Sequence, residues 1–294
     1  MKKTGFIAIV GRPNVGKSTL LNTFIGEKVA IVSSKPQTTR NRIAGILTKG
    51  ENQFVFLDTP GIHKPKNALG DYMVKVATGS MYDADALILI VEAQKPVTGV
   101  EREIIDYLEK SSLPCVLVIN KCDLVCAAEV AETIKKYADL HDFDAFVPIS
   151  AKKGKGVSDV LSECEKFLSE GEWMFSDDMI TDQPERQIAA EVIREKILRT
   201  IDKEIPHGTA VVIEDFKDED TLISIRAEIF CEKASHKGII VGKNGEALKR
   251  IGTSARTELE RFFGTKVYLN LWVKVKANWR ESVSMINNFG FTLD

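Results

Sequence analysis

Apolar residues arrive in short runs along the first half of the chain, at 6–10, 43–47, 54–57, 86–91, 115–119 and 145–149. Between the runs the apolar positions spread out at helical spacing. Continuous runs of strand length fit strands buried on both faces, and the amphipathic stretches between them fit helices that cover those faces. The pattern predicts an α/β fold, a mostly parallel sheet with helices on both faces. After Leu168 the rhythm breaks. Glu170, Gly171 and Glu172 are followed by a polar stretch, 177–184, ending in Gln183 and Pro184, and the domain boundary is placed here. Trp173, Met174 and Phe175 are too apolar for a free connector and are expected to dock on one of the two domains. The remainder reads as helix (185–200), strand (209–214), strand (222–231), two helices of which the second spans 246–263, strand (266–274) and a polar tail. This predicts a smaller α+β domain. The expected division is 1–171, a linker at 172–184, and 185–294.

Composition narrows the class without naming a chemistry. The 294 residues are 44% hydrophobic with a mean hydropathy of −0.08, as in an ordinary globular protein of two domains. No stretch approaches the ~20 consecutive apolar residues of a membrane span. Met1, Lys2, Lys3, Thr4 and Gly5 lead straight into the first strand, leaving no room for a signal peptide, so a cytosolic protein is expected. The five cysteines have no paired metal spacing and the four histidines are scattered, which predicts free thiols and no zinc site. A net charge of −2 hides a local basic patch: between 233 and 256, six Lys and Arg side chains face the single acid Glu246.

The chemistry begins where the first strand ends. Gly11, Arg12, Pro13, Asn14, Val15, Gly16, Lys17 and Ser18 fit the phosphate-binding pattern G-x-x-x-x-G-K-[ST], with a buried strand before it and a helical pattern, 17–25, after it. Backbone N–H groups in such a loop close around phosphates. Lys17 neutralises the β and γ phosphates, Ser18 offers an oxygen to Mg²⁺, and the helix N-terminus adds a favourable dipole. Alone this means a nucleoside triphosphate. Asn120, Lys121, Cys122 and Asp123 name the base, because the Asp123 carboxylate can accept from both N1–H and the exocyclic amine of guanine, a pair of donors that adenine lacks. Asn120 is expected to tie this loop to the phosphate loop, and the Lys121 stem to cover one face of the base.

Asp58, Thr59, Pro60 and Gly61 follow the strand at 54–57. Here Asp58 is expected to hold Mg²⁺ through a water, and the Gly61 N–H to reach the γ-phosphate and move when that phosphate leaves. In the polar stretch Gln37, Thr38, Thr39 and Arg40, one threonine should complete the Mg²⁺ shell, and Thr39 is preferred over Thr38. The metal set is therefore Ser18, Thr39 and Asp58. Ser150, Ala151 and Lys152 follow the strand at 145–149, where their backbone would support the guanine edge.

Five elements in this order and spacing resemble the translation-factor-related GTPases, which share a Ras-like α/β domain; the resemblance covers about the first 170 residues. It implies GTP and GDP as ligands, Mg²⁺ as cofactor, and Asn14, Lys17, Thr39 and Gly61 as the catalytic set. One departure matters. The position after Gly61, a water-orienting glutamine in Ras-like enzymes, is Ile62. Slow intrinsic hydrolysis follows, and the resemblance implies that Asn14 helps hold a K⁺ ion that supplies the missing charge.

In the second domain, Gly242, Lys243, Asn244 and Gly245 form a G-x-x-G turn between two predicted helices, after Ile239, Ile240 and Val241 and before Leu248, Lys249, Arg250 and Ile251. This resembles a KH domain of the α-β-β-α-α-β kind. In that fold the bare glycine backbone lets a single strand of RNA approach while bases spread over an apolar groove. The resemblance implies RNA binding by Lys237, Ile239, Ile240, Val241, Gly242, Lys243, Asn244, Gly245, Lys249 and Arg250. Lys274, Lys276 and Arg280 could extend the phosphate path.

A Ras-like GTPase domain followed directly by a KH domain, with the run 270–276 and then Trp279, is similar over essentially the whole chain to one bacterial family of ribosome-assembly GTPases. That similarity implies binding to 16S ribosomal RNA near its 3′ end, assistance to assembly of the 30S subunit, a monomer, and peripheral contact with the inner membrane. Three other readings stay open. The KH-like domain could contact a protein in a signalling or membrane-associated GTPase; the chain could act on transfer RNA; or its nucleotide site could be a relic in a passive RNA-binding module.

Overall fold

The computed structural model describes every residue except Ser34, Pro36, Lys203 and Asp294. Ser34 and Pro36 stand just before the stretch 37–40 that is expected to supply a threonine to Mg²⁺, and those two positions lie outside the described residues. The chain divides into two compact units: Met1–Pro65 with Tyr72–Asp182, and Lys66–Asp71 with Gln183–Asp294.

In the first unit the apolar runs become strands of a single sheet. In chain order the elements are β1 (Lys3–Val10), α1 (Lys17–Ile25), β2 (Ile43–Lys49), β3 (Asn52–Asp58), α2 (Ala68–Tyr82), β4 (Ala86–Glu92), α3 (Gly99–Ser111), β5 (Cys115–Asn120), α4 (Ala127–Ala138), β6 (Ala145–Pro148), α5 (Val157–Glu165) and β7 (Ser169–Glu170). The sheet order is β2-β3-β1-β4-β5-β6, with β7 added to β1. From β3 to β6 the strands are parallel. Alternate residues feed two cores: Ile7, Ile9, Phe54, Phe56, Val116 and Val118 pack with α1 and α5 residues such as Leu20 and Val160. Ala8, Val10, Val55, Leu57, Leu117 and Ile119 pack with Met81, Ile104 and Leu108. Burial on both faces is why these strands carry no alternation.

Two strands depart from the parallel expectation. β2 runs antiparallel to β3, because the link at Gly50 and Glu51 is too short for a crossover and Gly50 sits at φ 62°. β7 is antiparallel on Lys3 and Thr4 of β1; two residues are too few to show a pattern. The parallel strands end at the loops 11–18, 58–61, 120–123 and 150–152, so the candidate side chains gather at one edge of the sheet, where open α/β sheets bind ligands.

The stretch expected as a linker is docked on the first unit as far as Asp182. Gln53, fully buried, accepts from the backbone N–H groups of Met174 (2.9 Å) and Phe175 (3.0 Å) and donates to the Phe175 carbonyl. Trp173 Nε1 donates to the Glu51 carbonyl at 3.1 Å. Farther along, Ile46 N–H donates to Ile180 O at 2.9 Å and Thr181 bridges to Gly45.

The second unit contains α6 (Glu185–Thr200), β8 (Ala210–Glu219), β9 (Leu222–Cys231), α7 (Ala234–Val241), α8 (Glu246–Phe263), β10 (Lys266–Val275) and α9 (Val283–Asn288). Its sheet order is β10-β9-β8, with β9 antiparallel to β8 and parallel to β10. The inward residues of this sheet pack under α6 and α8 in a third core. The polar tail expected after β10 is instead folded. Trp279 is fully buried, donates from Nε1 to Gly208 O at 3.0 Å and stacks on Phe291, while Phe289 stacks on Phe230. Trp279, Ile286, Phe289 and Phe291 are spaced among polar residues without a period, so this segment gave no signal.

All five cysteines are free. Burial pushes the Cys115 and Cys164 thiols well above their usual range, the latter to about 12, while Cys126 alone is exposed. Under native conditions at neutral pH, iodoacetamide should therefore add first at Cys126, with Cys115, Cys164 and Cys231 reacting only after denaturation, as read by peptide mass spectrometry.

Candidate functional site

The turn after β1 closes because its glycines allow it. Gly16 sits at φ 111°, and a Cβ there would lie 2.2 Å from Asn120 Nδ2. Asn120, itself buried, donates from Nδ2 to Val15 O (2.8 Å) and accepts at Oδ1 from the Ala151 N–H (3.0 Å). One amide thus ties the phosphate loop, the 120–123 loop and the 150–152 loop together. Asn14 is left-handed at φ 64°, and its carbonyl accepts from Lys121 Nζ at 2.8 Å.

Pro13, Asn14, Gly16, Lys17, Ser18, Thr39, Gly61, Asn120, Lys121, Asp123, Ser150 and Lys152 line one cleft of about 550 Å³. Thr38, whose hydroxyl donates to Lys35 O at 2.7 Å, also lines it. Gly11, Val15, Asp58, Thr59, Pro60, Ile62 and Ala151 are buried and, like the half-buried Cys122, are not part of the lining. Arg12 departs from the expectation of ligand contact: its side chain is not part of the lining and pairs with Glu101.

Charge is concentrated on the cleft floor. Lys17 Nζ donates to the Gly11 and Arg12 carbonyls at 3.1 and 2.9 Å. Burial lowers its pKa to about 8, against the pull of Asp58. Burial likewise raises the Asp58 carboxyl to about 6, against the opposing effects of Lys17, Ser18 and Thr39. Ser18 Oγ is 2.6 Å from Asp58 Oδ2 and 2.9 Å from Thr39 Oγ1, while Asp58 Oδ1 is buried with no hydrogen-bond partner. Ser18 Oγ, Thr39 Oγ1 and Asp58 Oδ2 form a cluster of hard oxygens, and the second oxygen of the same carboxylate has no partner; this donor set fits a small divalent cation such as Mg²⁺.

At the other end, Asp123 accepts from Ser150 Oγ at 2.7 Å and pairs with Lys153 Nζ at 3.2 Å. The Ser150 hydrogen bond holds its carboxyl below the usual range, so it stays an acceptor throughout the neutral range. Gly61 lies against the phosphate loop; a Cβ there would come within 2.6 Å of the Pro13 backbone. Ile62 is buried and its N–H donates to Gly11 O, so no amide side chain stands at that position.

Several contributors carry no motif. Glu92 pairs with Lys121 at 2.6 Å, Lys153 braces Asp123, and His63 joins two loops, 2.9 Å from Gly61 O and 3.3 Å from Gln37 Nε2. Ile31, Val32 and Leu124 supply apolar lining. Only the order of Lys153 after Ser150 could have hinted at its role.

In the second unit Gly242 has φ 75° and ψ 175°, a backbone conformation essentially limited to glycine. A groove of about 480 Å³ beyond the turn is lined by Gly245, Leu248, Lys249, Gly252, Thr253 and Arg256 on one side and by Val267–Leu271 of the edge strand β10 on the other. Ile239 is half exposed, but Ile240, expected at the RNA, is fully buried, as is Ile251; both belong to the core beneath. Lys243 and Asn244 form the turn itself, Lys237 and Val241 lie on α7, and Arg250 lies on α8 outside the groove lining. Lys274 pairs with Glu228, and Arg280 with Glu232 at 2.7 Å, so two of the three cations expected to extend the path are neutralised locally.

Residues 6–121 match the family model of the 50S ribosome-binding GTPases, and residues 204–280 match that of the KH domain. The chain is 50% identical over 290 residues to the GTPase Era of Ruminiclostridium cellulolyticum, covering 98% of this chain and 97% of that protein. It is 51% identical over 294 residues to the GTPase Era of Clostridioides difficile, covering 99% of each. A crystal structure of Era with MgGDPNP and nucleotides 1506–1542 of 16S ribosomal RNA superposes with a TM-score of 0.96 at 41% identity over 100% of both chains. Aquifex aeolicus Era bound to GDP·AlF₄⁻ gives 0.95 at 41% over 99% of this chain and 100% of that one. The fold and its cleft thus define a Ras-like GTPase joined to a KH domain, and the enzyme's reaction is hydrolysis of GTP. The likeness runs the length of both domains. This chain belongs to the Era family of GTPases. No described helix is long and apolar enough to cross a membrane.

Proposed function

We propose that this GTPase is a nucleotide-gated switch that grips a single strand of 16S ribosomal RNA in the groove between α8 and β10 and assists assembly of the 30S subunit. The carrying observation is the pairing, in one chain, of a cleft that gathers Lys17, the Ser18, Thr39 and Asp58 oxygens and Asp123 with a G-x-x-G turn that opens onto an apolar, basic-rimmed groove. The full-length similarity to an Era protein solved with MgGDPNP and a 16S RNA segment supports the same ligands here. Ser18, Thr39 and Asp58 would hold Mg²⁺, which when bound draws charge from the β and γ phosphates. Lys17 neutralises the phosphates, the Gly61 N–H meets the γ-phosphate, and Asp123 reads guanine. A monomer in the cytoplasm with peripheral contact to the inner membrane belongs to the same reading. A signalling GTPase using its KH domain on a protein is not favoured by the full-length relatives.

The test is binding of the purified chain to a labelled single-stranded fragment from the 3′ end of 16S ribosomal RNA with no nucleotide, with GDP, and with a non-hydrolysable GTP analogue. Tighter binding with the analogue supports gating; identical affinity in all three states would sink it.

Because Ile62 cannot orient water, the missing charge is assigned to K⁺ held with the help of Asn14. Turnover in K⁺ buffer should exceed that in Na⁺ buffer about tenfold or more, a fraction of what an added positive charge can contribute, and Asn14→Ala should abolish the difference. Equal rates in phosphate-release assays would remove K⁺ from the mechanism. Gly61→Ala should leave GDP affinity near normal yet cut turnover sharply, since the added methyl meets the Pro13 backbone and keeps this loop from closing on the γ-phosphate.

A further inference from the structure

Arg12 stands where the phosphate-loop pattern accepts any residue, and its side chain turns from the cleft toward α3. Its Nε lies 2.5 Å from Glu101 Oε1. Glu101 is fully buried, in the first turn of α3. Its other oxygen accepts from the Thr98 N–H at 2.9 Å and from the Thr98 hydroxyl, closing a capping box. Tyr137 of α4, also buried, completes the surroundings: burial raises its hydroxyl far above the usual range, Glu101 adds to the shift and Arg12 opposes it.

The capping box needs Glu101 but not the arginine. A buried ion pair is a poor source of stability, since desolvation offsets most of the attraction. What the pair does is join the phosphate loop to the first turn of α3 at Arg12. The Arg12 carbonyl is one of two that seat Lys17 Nζ, and the next residue, Pro13, is the surface against which Gly61 packs.

We propose that Glu101 is a positioning residue for GTP hydrolysis. It anchors the phosphate loop to α3 through Arg12, and so sets where Lys17 and Gly61 meet the γ-phosphate. The inference rests on the nucleotide site described above, and Lys17→Ala serves as the reference for loss of that site.

The test compares the full chain with Glu101→Gln, Arg12→Gln and the double variant, measuring kcat, KM, fluorescent-nucleotide affinity and melting temperature. Glu101→Gln keeps the shape and the cap acceptor but removes the charge. Each single variant should lose kcat/KM on the order of tenfold to a hundredfold, the usual cost of a slight misplacement in a site. Arg12→Gln should also melt lower, because the fully buried Glu101 carboxylate is left unpaired, and Glu101→Gln should melt lower by less, since Arg12 is partly exposed. In the double variant the melting temperature should recover while kcat/KM does not. Unchanged kcat/KM in Glu101→Gln, or recovery of kcat/KM together with melting temperature in the double variant, would overturn the assignment by showing a purely structural pair. Nucleotide binding that survives Lys17→Ala would instead count against the site itself.

Discussion

Asp123→Asn should lower affinity for GTP about 10⁴-fold, the discrimination typical of a site built on paired hydrogen bonds to a substrate, and should create affinity for xanthosine triphosphate. The carboxylate is held ready to accept from both guanine donors: Ser150 Oγ and Lys153 Nζ orient it, and the Ser150 hydrogen bond keeps it ionised. An asparagine places an amine where guanine presents one, so two donors face each other and one goes unpaired. Xanthine carries a carbonyl at that position and accepts from the new amine. Competition of GTP and XTP against a fluorescent nucleotide reads both effects. If the variant still preferred GTP, Asp123 would not be the group that reads the base. Phosphate and metal contacts lie at the far end of the cleft and should be undisturbed, so the variant should hydrolyse XTP at close to the normal rate.

The second large effect is expected from Gly242→Asp, which should weaken RNA binding about a hundredfold while leaving GTP affinity unchanged. Gly242 occupies a backbone conformation that costs other residues on the order of 1–3 kcal/mol, and a Cβ would meet Ala247 Cβ at 2.7 Å and Ala247 N at 2.9 Å. The turn must distort, and the carboxylate then repels any phosphate drawn to Lys243 or Lys249. For the unsubstituted chain, log affinity should fall linearly with log salt at a slope near −0.7 per phosphate neutralised; Lys249→Ala should flatten that slope. Anisotropy titrations at several salt concentrations give both quantities. RNA affinity that survives Gly242→Asp would place the nucleic acid elsewhere on the chain.

What could be read from the chain without its structure follows a physical division. The residues that meet in the cleft were legible because each expected chemistry demands a fixed residue type at a fixed distance from a strand end, so order and spacing carried the information. The parallel strands were legible because burial on both faces removes alternation. Partners that act through geometry alone were not. Glu92, Glu101 and Lys153 are ordinary surface-type residues in the sequence, and only folding brings them against Lys121, Arg12 and Asp123. The RNA groove was half visible: the glycine turn stands out, but nothing in the pattern of 266–275 says that β10 is an edge strand, and so the wall at Val267–Leu271 was missed. Ile240 was misplaced for a related reason, since an apolar triplet on a short helix does not show which member faces the core. The antiparallel β2 could have been inferred from the two-residue link at Gly50.

The segment 172–182 has a bearing on how the first domain behaves when separated from the second. β2 ends its sheet, and an open strand edge is a template for pairing with other chains. Ile180 and Thr181 occupy part of that edge, and Gln53 depends on Met174 and Phe175 to satisfy its buried amide. A cut after Gly171, where the sheet nominally ends, would strip the edge and strand a buried side chain, favouring self-association; a cut after Asp182 would not. The segment is thus a guard against aggregation, carried by the domain whose edge it shields.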